Sequence, residues 1–364
     1  MKDYRTNMKV RLLLTFLAVF LTGLTRTGAD ESKWISIGRL HDWYSSAGCE
    51  IETGRRHQTS DQQDGLRFNA QFRDQDVKAA KGLWIGVKNY TDPLANNKVF
   101  NYKVVHCGPR VLDDQSEYMP QSFRLYGRFD KPTVVVDGIV SSKIQYMDAV
   151  DEVVDNMEAD RMLETIVNTS VGITMTRKTY AYSNPGYDNI FIHEYTFKNT
   201  GIINKSGTVN QQDLEGVFFY WQFRMAMTKE ACTYGENGWM PQNATWGANT
   251  VLKVLGQDPA ANDPFRCFYA WSGKHSKTNF NSIGAPYATG DGHLGAPQYM
   301  GVVTLHADKS VSDPSNDPYQ PATTNFIRSD DPLCSDNDQF NDAKMALEYG
   351  RMSFGHPETQ LADM

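Results

Sequence analysis

The sequence predicts a mainly β protein: an antiparallel β-sandwich, in one or two sandwich-like domains, with long loops and one or two short helices. Three runs carry that expectation. Residues 173–182 (ITMTRKTYAY) and 190–198 both alternate apolar and polar residues, and the turn signal Ser183-Asn184-Pro185-Gly186 lies between them. In the second run Phe191, His193, Tyr195 and Phe197 share one side, while Glu194, Thr196 and Lys198 share the other. That is the period of a strand with one face on a core. Residues 217–224 (VFFYWQFR) then put Val217, Phe219, Trp221 and Phe223 on a common face. Apolar faces of this kind must cover each other, and sheet-on-sheet packing does so. A 12% aromatic content suits such pleated, half-buried surfaces.

The remaining elements follow in chain order. Residues 34–43 (WISIGRLHDW) read as a strand, and residues 52–65 as a polar loop. Leu83 to Val87 is a short apolar strand, followed by turn-rich residues 91–97. Thr133 to Val136 is another strand, bounded by Pro132 and Asp137-Gly138. Residues 147–166 contain no Gly or Pro, and Val150, Val154 and Met157 recur at helical spacing. This segment reads as a helix, or else as an acidic loop followed by a strand. From Glu236 to Thr304 the chain is rich in Gly, Asn, Pro and aromatics, with a strand expected at residues 300–305. A short helix is expected from Asp342 to Met352, where Met345, Tyr349 and Met352 share a face.

The first 29 residues read as a signal peptide. Lys2, Arg5, Lys9 and Arg11 precede an apolar run from Leu12 to Leu24, and small residues follow up to Thr27-Gly28-Ala29. The run is shorter than the ~20 residues needed to span a bilayer, and cleavage is expected after Ala29. The expected protein is therefore secreted or held at the cell surface, with no membrane span in the mature chain. Residues 30–140 form an N-terminal β-rich region and residues 141–364 a β-sandwich domain, with a boundary near residues 137–170 or no boundary at all. The ending at Asp363-Met364 reads as that of a fragment or a gene cut short.

A formal charge of −7 and scattered basic residues exclude a nucleic-acid interface, which needs a basic stripe. Five cysteines in an exported chain can pair; sequence order suggests Cys49–Cys107 and Cys232–Cys267, leaving Cys334. Burial as small apolar side chains is the alternative.

The sequence holds no nucleophile elbow, phosphate loop or dinucleotide fingerprint. His193-Glu194 opens a zinc-protease motif, but Phe197 stands where the second His belongs. The acidic stretch with Asp330, Asp331, Asp336, Asp338 and Asp342 could bind calcium through Asp336, Asp338 and Asp342. It lacks the Gly and Glu of a calcium loop, and its Asp and Asn residues equally suit helix capping. No other cofactor is expected. Glu194, Glu230, Glu236 and Asp291 are candidate paired carboxylates for glycoside hydrolysis. Trp239, Trp246, Tyr269, Trp271 and Tyr287 fall in the loop-rich stretch, where rings can stack on sugar, bury against a partner or plug the core.

The run YAYSNPGYDNIFIHEYTFKNTG (Tyr180 to Gly201), with GLWIGVKNYTD (Gly82 to Asp92) and GVVTLHADKS (Gly301 to Ser310), resembles segments of large uncharacterised exported proteins of environmental Bacteroidota. Such proteins commonly carry a type IX secretion sorting domain or fibronectin-like modules. The resemblance implies an exported β-sandwich and brings no catalytic residues. The expected function is non-enzymatic, a binding or structural module for carbohydrate or extracellular protein. The alternative is a polysaccharide-acting hydrolase.

Overall fold

A computed structural model describes residues 31–50, 65–70, 76–108, 116–130, 133–141, 149–225, 250–255, 266–272, 299–318 and 339–353. The expected signal peptide lies outside the described residues, as does nearly all of the expected 52–65 loop.

The fold is mainly β. In chain order the first strands are β1 (Ser32–Ile35), β2 (Leu40–Ser45), β3 (Leu66–Phe68), β4 (Asp76–Asp92), β5 (Lys98–Cys107) and β6 (Tyr118–Gly127). Next come β7 (Val135–Val136), β8 (Ile139–Val140), β9 (Glu152–Val153), β10 (Arg161–Thr169), β11 (Ile173–Ala181) and β12 (Phe191–Asn199). The last are β13 (Glu215–Met225), β14 (Thr250–Leu255), β15 (Arg266–Ser272), β16 (Tyr299–Thr304), β17 (Asp308–Ser310) and β18 (Asp313–Asn316), before helix α1 (Asp342–Ser353).

The first sheet runs β1-β2-β3-β4-β13, with β5 also paired to β4; the second runs β12-β11-β10-β6-β9. Strands from either side of residue 140 therefore share each sheet: β4 pairs with β13, and β6 with β10. A third sheet, β14-β15-β16, and the hairpins β7-β8 and β17-β18 complete the described strands.

The two large sheets close face to face. Leu83, Ile85, Val87 and Val105 of the first meet Tyr118, Val167, Ile173 and Met175 of the second in one buried cluster. Two hydroxyls tie the layers across this core: Tyr90 donates to the Ser170 carbonyl and Tyr118 to the Leu83 carbonyl, each at 3.0 Å. The opposite face of the first sheet is covered by α1, whose Met345, Tyr349 and Met352 bury against Trp84, Phe100 and Val104. A Cβ on Gly86 would lie 3.0 Å from the Tyr349 ring and 3.1 Å from Met352, so the bare backbone there lets the helix approach. Asn341 caps α1 by accepting the Lys344 amide at 3.1 Å.

The alternating runs form strands with the expected faces. β11 and β12 pair antiparallel, and on β12 Phe191, His193, Tyr195 and Phe197 are partly buried while the residues between them are exposed. The run 34–43 breaks instead into the hairpin β1-β2, turning at Gly38 with φ of +77°. The helical reading of residues 147–166 is corrected. Residues 149–160 are turns and bends with the short β9, and residues 161–166 enter β10 between β6 and β11, the loop-then-strand alternative. Leu163, Thr165 and Val167 are buried there at period two, and neighbours on both edges outweigh a weak helical period. The acids of this segment serve the loops: Asp151 accepts the Leu125 amide at 2.6 Å, and Asp160 accepts the Ser183 amide at 2.6 Å.

His106 of β5 anchors the helix. Its ring lies edge-on to Trp84 and is buried between Glu117, 3.3 Å from Nδ1, and Glu348 of α1, 3.1 Å from Nε2. Burial alone lowers the ring's pKa, but the two carboxylates outweigh it and raise it to about 9. Since the unfolded value is ~6.5, this anchor is at full strength below that pH and is lost as pH rises through about 9. Lys78, lowered to about 8 chiefly by burial, acts in the opposite sense as pH rises. The difference in melting temperature between wild type and His106→Gln isolates the helix anchor. That difference should shrink between pH ~6.5 and pH ~10 in a calorimetric series.

Candidate functional site

Where the two sheets meet along β12 and β13, the interior is polar. Two register shifts on β4, one against β3 and one against β13, fall beside Lys78. Lys78 and Lys81 both reach Glu50, which bridges to Tyr44 and Lys81 through its backbone. The Lys78 ammonium also donates to Asp42 of β2 at 2.9 Å, and Lys81 donates to Glu50 Oε1 at 3.0 Å. Lys78, Asp42 and Glu50 are all buried. Burial raises the Asp42 carboxyl despite its ammonium partner.

The second sheet supplies Arg177 and Thr179 from β11 and His193 and Tyr195 from β12. Arg177 is wholly buried; it donates to the Gly48 carbonyl at 2.8 Å and the Thr165 hydroxyl at 3.1 Å, and its guanidinium lies 4.9 Å over the Tyr44 ring. His193 Nδ1 is 3.0 Å from the Thr179 hydroxyl. Burial and the nearby cations Lys81, Arg177 and Lys78 push this imidazole well below its usual pKa, so it is neutral. Lys81 closes the cluster by donating to the Tyr195 hydroxyl at 3.2 Å. Burial pushes that hydroxyl up in pKa, yet Lys81 and Arg177 outweigh it and bring it below the ordinary phenol value.

Aromatic rings border this cluster on the seam between edge strands β12 and β13. Phe197 stacks on Phe219 with centroids 4.0 Å apart, and Tyr195 meets Trp221 edge-on at 5.8 Å. The Lys81 ammonium sits 5.3 Å from the Tyr195 centroid and 5.8 Å from that of Phe223. These rings are half-buried. Aromatic faces with a few fixed polar groups are the usual lining of a small-ligand site. The carboxylates of Asp42 and Glu50 are both committed to ammonium partners, so the arrangement suits holding a ligand better than donating a proton to one.

The residues singled out from sequence are distributed differently. Tyr269 and Trp271 lie on β15, with Tyr269 opposite Lys253 and Gly301, and Trp271 opposite Val251 and Tyr299. Tyr269 is half-buried. Trp239, Trp246 and Tyr287 lie outside the described residues, as do Asp336, Asp338, Cys232, Cys334, Glu230, Glu236 and Asp291. Asp342 opens α1 and pairs with Lys98 at 2.6 Å. Among the described residues no group of three or more His, Cys, Asp and Glu side chains could hold a metal ion. Glu194 faces solvent and accepts from the Tyr180 hydroxyl at 3.2 Å, on the far side of β12 from His193. His193 is the hydrogen-bonded histidine of a mostly aromatic face. Cys49 and Cys107 are buried together in the inter-sheet core as thiols, while Cys267 is on β15 in the third sheet. Among the described residues no helix is long and apolar enough to cross a membrane.

Sequence reading did not find Lys78, Lys81, Asp42, Glu50 and Arg177 as a group. One signal for them was present. Arg177 stands at an inward position of the alternating ITMTRKTYAY run, and Lys81 stands two residues before the inward Leu83. Compared with protein-family models, with curated proteins and with solved structures, the chain matches none.

The ion cluster predicts a measurable asymmetry. Lys78→Met leaves the buried Asp42 carboxylate without its ammonium partner, while Glu50 keeps Lys81, and should cost ~3–5 kcal/mol in urea unfolding. Replacing Lys78, Asp42 and Glu50 together by Met, Asn and Gln should cost less than that single change. A larger loss for the triple variant would show that the ions themselves stabilise the core.

Proposed function

We propose that this chain is an exported carbohydrate-binding module and that its ligand lies along the seam between β12 and β13. The observation that carries the reading is the combination found there: half-buried rings of Tyr195, Phe197, Phe219, Trp221 and Phe223 beside the Lys81 ammonium and the Tyr195 hydroxyl. A sugar ring offers a flat C–H face for the aromatic surface and hydroxyls for the polar groups. Lys81 is already oriented by Glu50, which lowers the ordering cost of binding. The basic, apolar and small-residue order of the first 29 residues supports export. The dispersed acids of this chain and its lack of a basic stripe support a ligand other than nucleic acid.

A glycan array followed by titration calorimetry tests the reading. The wild type should bind a subset of polysaccharides. Trp221→Ala, with an unchanged far-ultraviolet spectrum, should weaken that binding at least about tenfold, or ~1.4 kcal/mol. Tyr195→Phe, which keeps the ring and removes the hydroxyl, should weaken it less. Binding to no glycan, or equal binding by wild type and Trp221→Ala, would refute the seam as a sugar site.

A further inference from the structure

We infer that Cys49 and Cys107, both thiols in this structure, close a disulfide bond on oxidation that locks the Glu50 turn against the end of β5. Backbone register brings the two segments together before any side chain is considered. Glu50 and Lys81 exchange both backbone hydrogen bonds, each at 3.0 Å, on the edge of β4 opposite β13. Cys107 pairs with Leu83, two residues further along that same edge. The turn from Ser45 to Glu50 therefore abuts the end of β5. Both cysteines are 2% exposed in a single buried cluster with Ala47 and Leu83. Cys107 donates to the Ala47 carbonyl at 3.1 Å, which fixes its direction toward the turn.

The bond needs an oxidant, and an exported chain meets one outside the cytoplasm; in this respect the inference rests on the export reading. The co-reactant is a disulfide-bearing donor. A cysteine thiolate attacks one donor sulfur, forming a mixed disulfide while the other donor sulfur leaves as thiolate. The second cysteine thiolate then attacks the protein-side sulfur and releases the donor as a dithiol. Two electrons pass to the donor, and the two cysteine protons end on its thiols. In the folded core Cys107 is pushed far above the usual thiol range, first by the neighbouring Cys49 and then by burial. Thiolate is scarce there, so the exchange takes place while the chain folds, before the sheets close. Once formed, the bond is shielded from reductant. It also holds Glu50, the carboxylate that positions both Lys78 and Lys81.

The test is to reduce and denature the full chain, refold it with a reduced and oxidised glutathione pair, and map the cysteines by mass spectrometry without reduction. The expected result is a Cys49–Cys107 peptide as the main cross-link, lost in Cys49→Ser. The oxidised protein should melt roughly 10 °C above protein refolded in reductant. Alkylatable thiols at both positions after oxidative refolding, or pairing of either with Cys232, Cys267 or Cys334, would overturn the inference. If Cys49→Ser does not fold, the wild-type map alone decides. Mapping the chain isolated from its own cells separates the two readings. A bond that forms on refolding but is absent in those cells upholds the pairing and sinks the export reading.

Discussion

Along β4, Leu83, Ile85 and Val87 face one layer while Trp84 and the bare backbone of Gly86 face another, so both sides of the strand have to be kept from water. Each fully buried side chain of this size is worth ~1.5–3 kcal/mol relative to exposure. Leaving either face open would therefore cost several such contributions. The second sheet covers one side and α1 the other. The same strand is paired with β13 on one edge and with β3, the Glu50 turn and β5 on the other. Its surroundings are thus specified in four directions, and the other elements take their places from it.

The polar cluster is what this arrangement encloses at one end. Removing Lys78, Asp42, Glu50 and Arg177 from water is costly, and their mutual attraction offsets that cost only when the geometry is close. Here it is close: each ammonium has a carboxylate partner, and Arg177 is held by a carbonyl, a hydroxyl and a ring face. Such a cluster adds little net stability over an apolar core of the same volume. It does orient groups, leaving Lys81 directed at the Tyr195 hydroxyl beside the half-buried rings.

Much of the strand pattern was legible because period-two alternation is local. The hairpin β11-β12 and the inward face Phe191, His193, Tyr195 and Phe197 could be read from ten-residue windows, and so could the α1 face of Met345, Tyr349 and Met352. The segment leading into β10 was not legible in the same way. Its spacing of Val150, Val154 and Met157 satisfies a helix, and only pairing with β6 and β11 makes a strand of residues 161–169. The site was less legible still. Arg177 in an inward position hints at a buried cation, but nothing near it in sequence names the Gly48 carbonyl or Tyr44 as its partners.

Composition and residue order alone settled the class of fold, because a strand's alternation reports its burial without reference to any partner. They also marked Leu83 to Val87 as an apolar strand. Which elements cover it, and that Glu50 comes to lie between two lysines, was decided only by the folded chain. Contacts between residues far apart in sequence depend on how the sheets register against each other, and that register is a property of all the strands together.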